Sequence, residues 1–216
     1  MKAIVGVGAG GHARVLIDII RLSREFEIVG LIDPAHIGEE VDGIGVIGSD
    51  GDLAALRLQG IEYAFVAIGG AGDNRPRRAI FDRLQSDGFQ LARLVHPSAV
   101  VAGSAQLSLG VAIMANAVVN PGAALAENVI VNTSAVVEHD CVVEAHVHVA
   151  TGARLAGGVR IGEGAHVGAG AVVRQGISVG SWSVIGAGAV VVSDVPSGAT
   201  VVGVPARPIR SGRRDG

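Results

Sequence analysis

Seven histidines stand in this 216-residue chain. Four of them crowd one stretch: His139, His146, His148 and His166. Asp140 follows His139 directly and Glu138 precedes it. A neutral imidazole, with an ordinary pKa near ~6.5, takes up a proton at neutral pH, and an adjacent carboxylate can orient the ring or hold its charge. That pairing suits general-base removal of a proton from a nucleophile. A second set lies at the start. Gly6, Gly8 and Gly11 have G-x-G-x-x-G spacing, with Gly10 as an extra, between the apolar run Ala3–Val7 and a helix expected from His12 to about Leu22. Asp33 ends the next apolar run, 22 residues after Gly11. This is a nucleotide-binding fingerprint. The glycines let a phosphate approach the backbone, the helix N-terminus offers free N–H groups, and the acid can accept sugar hydroxyls. A tight turn that binds nothing is the plainer alternative. The third set is Gly69-Gly70-Ala71-Gly72-Asp73-Asn74-Arg75, after another apolar run. It falls on the carboxyl edge of the expected sheet, where ligands bind; Asn74 and Arg75 can reach a phosphate or sugar, or Asn74 can cap a helix.

A repeat must position the histidines. From Val101 to Val191 an aliphatic residue recurs every six positions, sixteen times without a slip. Four residues after each stands a second small or apolar position, such as Ala105, Ala135, Cys141 or Ala189. A six-residue period fits no helix and no plain strand alternation; it marks a parallel β-helix with one short strand per hexad. The pattern resembles the hexapeptide-repeat acyltransferases. That resemblance implies a left-handed parallel β-helix with three hexads per coil, and so about five coils, each burying its apolar face only against its neighbours. The usual crossover rule predicts the opposite hand.

Three hexads per coil give each polar residue an address, because residues 18 apart then stack. His139, third in its hexad, lies at a turn and points outward, with Gly157 one coil above and Pro121 one coil below. A histidine under a glycine leaves room for a long ligand to pass. His166 stacks on His148, and His146 sits one position before Val147. Cys141 occupies an inward small-residue slot and is expected to fill core. Trp182 replaces a turn glycine and is expected to pack at an interface or a ligand rim.

The hexads begin near residue 100, which divides the chain into an α/β domain over 1–96, a solenoid over 97–200 and a tail over 201–216. Four strands are expected in the first domain: Ala3–Val7, Glu27–Ile32, Tyr63–Ile68 and Gln90–Val95. A full dinucleotide fold needs six in two halves, so this half-Rossmann parallel sheet suits a single nucleotide or a nucleotide-linked sugar. Val15, Leu16, Ile19 and Ile20 are expected to share one helix face, and Arg77, Arg78 and Arg83 a solvated one. Pro97 favours an extended His96, a hinge into the first coil.

Bulk properties exclude several classes. Mean hydropathy is +0.49, yet glycine, alanine and polar residues interrupt every apolar run before about 18 residues, so no membrane insertion is expected. A net charge of −3 gives no basic footprint for nucleic acid. One cysteine excludes an intrachain disulfide and fits a reducing compartment. With no signal-peptide pattern at the start, a cytoplasmic location is expected.

A narrower resemblance rests on Asn132-Thr133-Ser134-Ala135-Val136-Val137-Glu138-His139-Asp140-Cys141, on Gly8-Ala9-Gly10-Gly11-His12 and on His96-Pro97-Ser98-Ala99. Together these resemble the bacterial acetyltransferases of nucleotide-linked 4-amino-4,6-dideoxy sugars, and sialic-acid O-acetyltransferases belong to the same branch. By that resemblance the substrates are a nucleotide-linked amino sugar and acetyl-CoA, used without a metal by a homotrimer with CoA lying between subunits. It implies His139 as base, Asp140 as its acidic partner, and Gly157 and His148 as oxyanion or acetyl contacts. It implies Asn116, Gly8, Gly10, Gly11, His12 and Asp33 as sugar-nucleotide contacts, to which the position of the glycine-rich loop adds Gly69, Asn74 and Arg75. CoA is expected along His148, Gly157, Ala165, His166, Pro205 and Arg207. Two departures stand out: Pro34 replaces a second acid often found after Asp33, and Val204 replaces an asparagine in the closing motif. Four rival readings remain: an O-acetyltransferase, a non-catalytic sugar-nucleotide-binding protein, an NAD-dependent oxidoreductase, which explains the glycine motif but not the hexads, and a zinc hydratase on the same solenoid. The last requires a histidine five residues after another, where this chain has Glu144 after His139.

Overall fold

The computed structural model describes residues 1–209; residues 210–216 of the expected tail lie outside them. The first domain runs β1 (Lys2–Val7), α1 (Gly11–Ser23), β2 (Phe26–Ile32), β3 (Glu40–Val41), β4 (Ile44–Gly48), α2 (Leu53–Leu58), β5 (Tyr63–Val66), α3 (Arg75–Ser86) and β6 (Gln90–Leu91). The sheet has the order β3-β4-β2-β1-β5-β6 and is parallel except for the β3–β4 hairpin. Its central strand is buried on both sides, as an apolar run such as Ala3–Val7 requires. α1 buries Ala13, Leu16, Ile17, Ile19 and Ile20, whereas Val15, expected on that face, is exposed on the other.

The sequence reading missed the β3–β4 hairpin, although its turn carries a clear signal. Asp42 and Gly43 both take positive φ, 49° and 76°, the conformation a two-residue hairpin demands. The expected strand Gln90–Val95 divides. Gln90–Leu91 closes the first sheet, while Leu94–Val95 pairs with Ala112–Ile113. The solenoid therefore takes over three residues before the expected boundary at 96/97.

From there the chain winds into a left-handed β-helix of three parallel sheets. The first face carries Leu94–Val95, Ala112–Ile113, Ile130–Val131, His148–Val149, His166–Val167 and Val184–Ile185. The second carries Val100–Val101, Val118–Val119, Val136–Val137, Arg154–Leu155, Val172–Val173 and Val190–Val191. The third carries Gln106–Leu107, Ala124–Leu125, Val142–Val143, Arg160–Ile161 and Ser178–Val179, and Val195 bridges to Val179 beyond them. The prism is thus about a coil taller than the hexad count implied, because Leu94–Val95 begins it early and Val195 and Thr200–Val202 prolong it. The second residue of each two-residue strand points inward and, from Ile113 to Val191, is buried, as are small groups such as Ala117, Ala135 and Cys141. Each such aliphatic side chain contributes about 1.5–3 kcal/mol.

A solenoid must cover its flanks and ends. The first face is covered by α1, whose Leu16 and Ile20 share a cluster with Leu94, Ala112, Met114 and Ile130. The last coil is covered by the tail, where Arg207–Ile209 pairs antiparallel with Thr200–Val202 and Ala206 joins the core. Among the described residues no helix is long and apolar enough to cross a membrane.

Candidate active site

His139 lies on the corner between the second and third faces, in the turn joining Val136–Val137 to Val142–Val143. The turn requires a left-handed residue, and Asp140 supplies it with φ 59°. That conformation brings the Asp140 carboxylate back to the ring, with Nδ1 and Oδ2 2.9 Å apart. The hydrogen bond to Asp140 raises the His139 pKa above its ordinary value, and the negative charges of Asp140 and Glu138 add to it. With Nδ1 donating to Asp140, Nε2 is left with a lone pair. Nε2 faces Gly157, one coil above: a Cβ there would sit 2.5 Å from it. Asp140 in turn lies over Gly122, where a Cβ would meet Oδ1 at 2.6 Å. Among the described residues the Gly157 N–H has no hydrogen-bond partner, and it belongs to the residue that faces Nε2. A base and a free backbone donor so placed suit attack on a carbonyl followed by stabilisation of the oxyanion. Cys141 is buried and directs Sγ at the Ala156 carbonyl, as a core residue does.

The glycine motif forms the turn from β1 to α1. Gly8 has φ 112°, and a Cβ there would strike Ile68, so neither its backbone nor its surroundings accept a side chain. Gly10 and Gly11 have open space where a Cβ would be, and the first turn of α1 contains no acid. This leaves a helix N-terminus free to meet a phosphate. Asp33 closes the turn instead of standing free: Oδ2 accepts from Ala9 N at 2.9 Å and Oδ1 from Ala35 N at 3.0 Å. Its oxygens keep lone pairs for a sugar hydroxyl. His12 packs on Gly69, with Nε2 buried and unpartnered. Burial, and secondarily Arg77, push its pKa down to about 4.

The other three histidines of the crowded stretch, His146, His148 and His166, lie between the two domains. His148 is 4% exposed and donates from Nδ1 to the Gly70 carbonyl at 3.0 Å, while Nε2 meets Asn132 Nδ2 at 3.1 Å. His166 stands edge-on to it at 5.1 Å. Burial, with His166 and Arg77 adding, drives the His148 pKa down to about 3. His146 is buried against Asn128 and Phe81. His148 and His139 are therefore not neighbours: the first sits on the first face, the second at the opposite corner.

Several expected contacts are displaced. Asn74 neither caps α3 with its side chain nor faces solvent; it is fully buried and donates to the Gly164 and Ala165 carbonyls. Ala165, expected along CoA, is 0% exposed because it fills an inward small-residue slot of the solenoid core, and His166, expected there too, is 9% exposed and packs against His148 on the first face. Arg77, expected on a solvated face, is 1% exposed. The helical phase carried the signal, since Arg77, Phe81 and Leu84 share one stripe of α3. Arg75 remains exposed and lies 4.9 Å from the Trp182 ring, so Trp182 packs at the domain interface. Asn116 is exposed on the corner between the first and second faces with φ 57°. Pro205 and Arg207 are exposed on the tail. Asn132, named in the sequence only as the start of a motif, holds His148 through its amide while its Oδ1 accepts from Thr133 N. Among the described residues no three His, Cys, Asp or Glu side chains gather to hold a metal.

Comparison with known proteins follows the same division. Residues 3–84 match the PglD N-terminal domain family, and residues 158–193 match the bacterial transferase hexapeptide (six repeats) family. The acetyltransferase domain of PglB from Neisseria gonorrhoeae is 41% identical with a TM-score of 0.91, over 97% of this chain and all of that one. A variant of perosamine N-acetyltransferase from Caulobacter crescentus, solved with CoA and GDP-perosamine, is 40% identical with a TM-score of 0.92, over 97% of both chains. UDP-N-acetylbacillosamine N-acetyltransferase from Bacillus subtilis is 35% identical over 115 residues, and that match spans about half of each chain (53% and 52%).

Proposed function

Because the chain belongs to the nucleotide-sugar N-acetyltransferases of the hexapeptide-repeat family, we propose that it transfers the acetyl group of acetyl-CoA to the C4 amine of a UDP- or GDP-linked 4-amino-4,6-dideoxyhexose. The observation that carries the mechanism is the placement of His139 Nε2 beneath Gly157, with Nδ1 held by Asp140. Nε2 takes a proton from the sugar amine. The amine lone pair forms the C–N bond at the thioester carbonyl, and the oxygen takes up the displaced electron pair. The Gly157 N–H donates to that oxyanion, an effect of about 3–4 kcal/mol for a well-placed donor. Collapse breaks the C–S bond, and the CoA thiolate leaves with the proton that His139 had taken.

The glycine turn of β1 and α1 holds the nucleotide diphosphate. It lies with the first domain, on the first face, one full face of the prism away from the His139 corner. A sugar held by the turn of one chain would thus meet His139 of another, which supports a homotrimer with acetyl-CoA along the shared groove. The test is acetyl-CoA consumption with UDP-, GDP- and dTDP-linked 4-amino sugars, alongside thermal shifts with the bare nucleotides. Turnover with one nucleotide class, and stabilisation by that class alone, is expected. No turnover above thioester hydrolysis with any of them would overturn the proposal.

A further inference from the structure

We propose that Arg77, assisted by Asn74, is a positioning residue that sets the sugar-nucleotide loop in register with the solenoid by fixing the orientation and tautomer of His148. This rests on the transferase function proposed above.

Arg77 is an unusual buried cation. No carboxylate lies within ion-pair distance of it among the described residues. Its guanidinium instead donates to backbone carbonyls of the solenoid: Nη1 to Asn128, and Nη2 to His146 and Val147. Asn74 continues the series one coil on, donating to Gly164 and Ala165 at 3.1 and 3.2 Å. Asn128, His146 and Gly164 are successive left-handed turn residues of one corner, with φ 56°, 62° and 66°. The first turn of α3 therefore reads three coils in sequence through their carbonyls. Apolar docking would not need this, and burying a charge without a counter-charge is unfavourable unless its hydrogen bonds are met. Arginine has the planar fork that can span acceptors on two coils; lysine and methionine lack it.

The loop just before α3 is where that registration acts. Gly70 must lie close to Asn74, because a Cβ on it would collide with Asn74 Oδ1. Its carbonyl then receives His148 Nδ1. A carbonyl only accepts, so Nδ1 carries the proton; Nε2 is the acceptor for Asn132 Nδ2, whose Oδ1 is already taken by Thr133 N. One path thus runs from Arg77 and Asn74 through Gly70 and His148 to the turn at Asn132. Among the described residues the four buried polar side-chain atoms left without partners, on His12, Asn74, Arg77 and His166, all belong to this seam. They identify it as a polar junction and not an apolar contact. Neutral His148 suits the role, since burial and Arg77 both disfavour its charged form.

The experiment compares Arg77→Gln and Arg77→Lys with wild type in the full chain. For Arg77→Gln the KM for the sugar nucleotide should rise about tenfold, with kcat and the KM for acetyl-CoA held within about twofold, the pattern of lost ground-state positioning. Arg77→Lys, which keeps the charge but not the fork, should fail to restore the KM. Histidine ¹⁵N NMR without substrates should show His148 protonated at Nδ1 in wild type and exchanging between tautomers in Arg77→Gln. An unchanged tautomer, or equal changes in both KM values, would overturn the proposal. Should Arg77→Gln fail to fold, Asn74→Ala carries the same readouts with a smaller effect in the same direction. If wild type acetylates no amino-sugar nucleotide, the transferase function fails, and the tautomer measurement still judges the seam by itself.

Discussion

Two histidine sites on one solenoid behave in opposite ways. At the outer corner His139 is exposed, holds a carboxylate, and has a raised pKa. On the first face His148 is buried, holds a carbonyl and an amide, and has its pKa driven down to about 3. Both rings stand on turns or strands of the same six-residue repeat. The hexad therefore does not decide which imidazole is a base; the neighbouring groups do. A carboxylate stabilises the charged ring that forms when a base accepts a proton, whereas burial among neutral dipoles prevents it. The outer site favours the charged ring and the inner site disfavours it.

That contrast is open to attack at its strongest point first. His139→Ala should lower kcat by about 10²–10⁴ while sugar-nucleotide binding, read by calorimetry, is retained. The same substitution at His148 should act mainly on substrate KM and stability, and equal kcat losses at the two positions would abolish the distinction. Gly157→Ala should cost on the order of 100-fold in kcat, since its Cβ displaces the His139 ring and small misplacements are severe. An unchanged melting temperature in that variant would separate geometry from folding.

Stability should carry the mark of the inner site. The folded pKa of His148 is depressed, so the unfolded chain takes up a proton that the folded chain refuses once pH falls below about 6.5. Its contribution is fully present above that value and is lost progressively as pH falls towards about 3. Between pH 7 and 5 the loss from this residue is about 2 kcal/mol. Urea titrations of wild type and His148→Gln should show the difference, and parallel pH profiles for the two would refute it.

Asp140→Asn should produce a smaller change in a different observable. Its hydrogen bond and then its charge hold the His139 pKa up, so with the carboxylate gone the ring stays neutral to lower pH, and the acid limb of kcat/KM should move down. A limb that moved up, or stayed, would mean that Asp140 does not tune the ring. The smallest effect expected is at Asn116. Replacement by glycine preserves its left-handed turn, so any loss of rate reports the amide alone. Unchanged kcat and KM there would remove Asn116 from the site.

The sequence determined the solenoid, because a backbone that turns every six residues needs an aliphatic side chain at one slot and a small one at another. It also determined the vertical neighbours of each turn residue, and so placed His139 under Gly157 and Cys141 in the core. The same regularity hid the domain interface. Asn74 and Arg77 looked like a cap and a solvated charge because their partners are backbone carbonyls some 50 to 90 residues away, and carbonyls leave no trace in side-chain chemistry. The start of the solenoid at Leu94 was equally obscure, since an apolar pair extends one sheet as readily as it begins another. Tertiary structure alone decided these points. Local pattern reports which way a side chain points on its own element, whereas burial, tautomer and pKa depend on what a distant element brings against it.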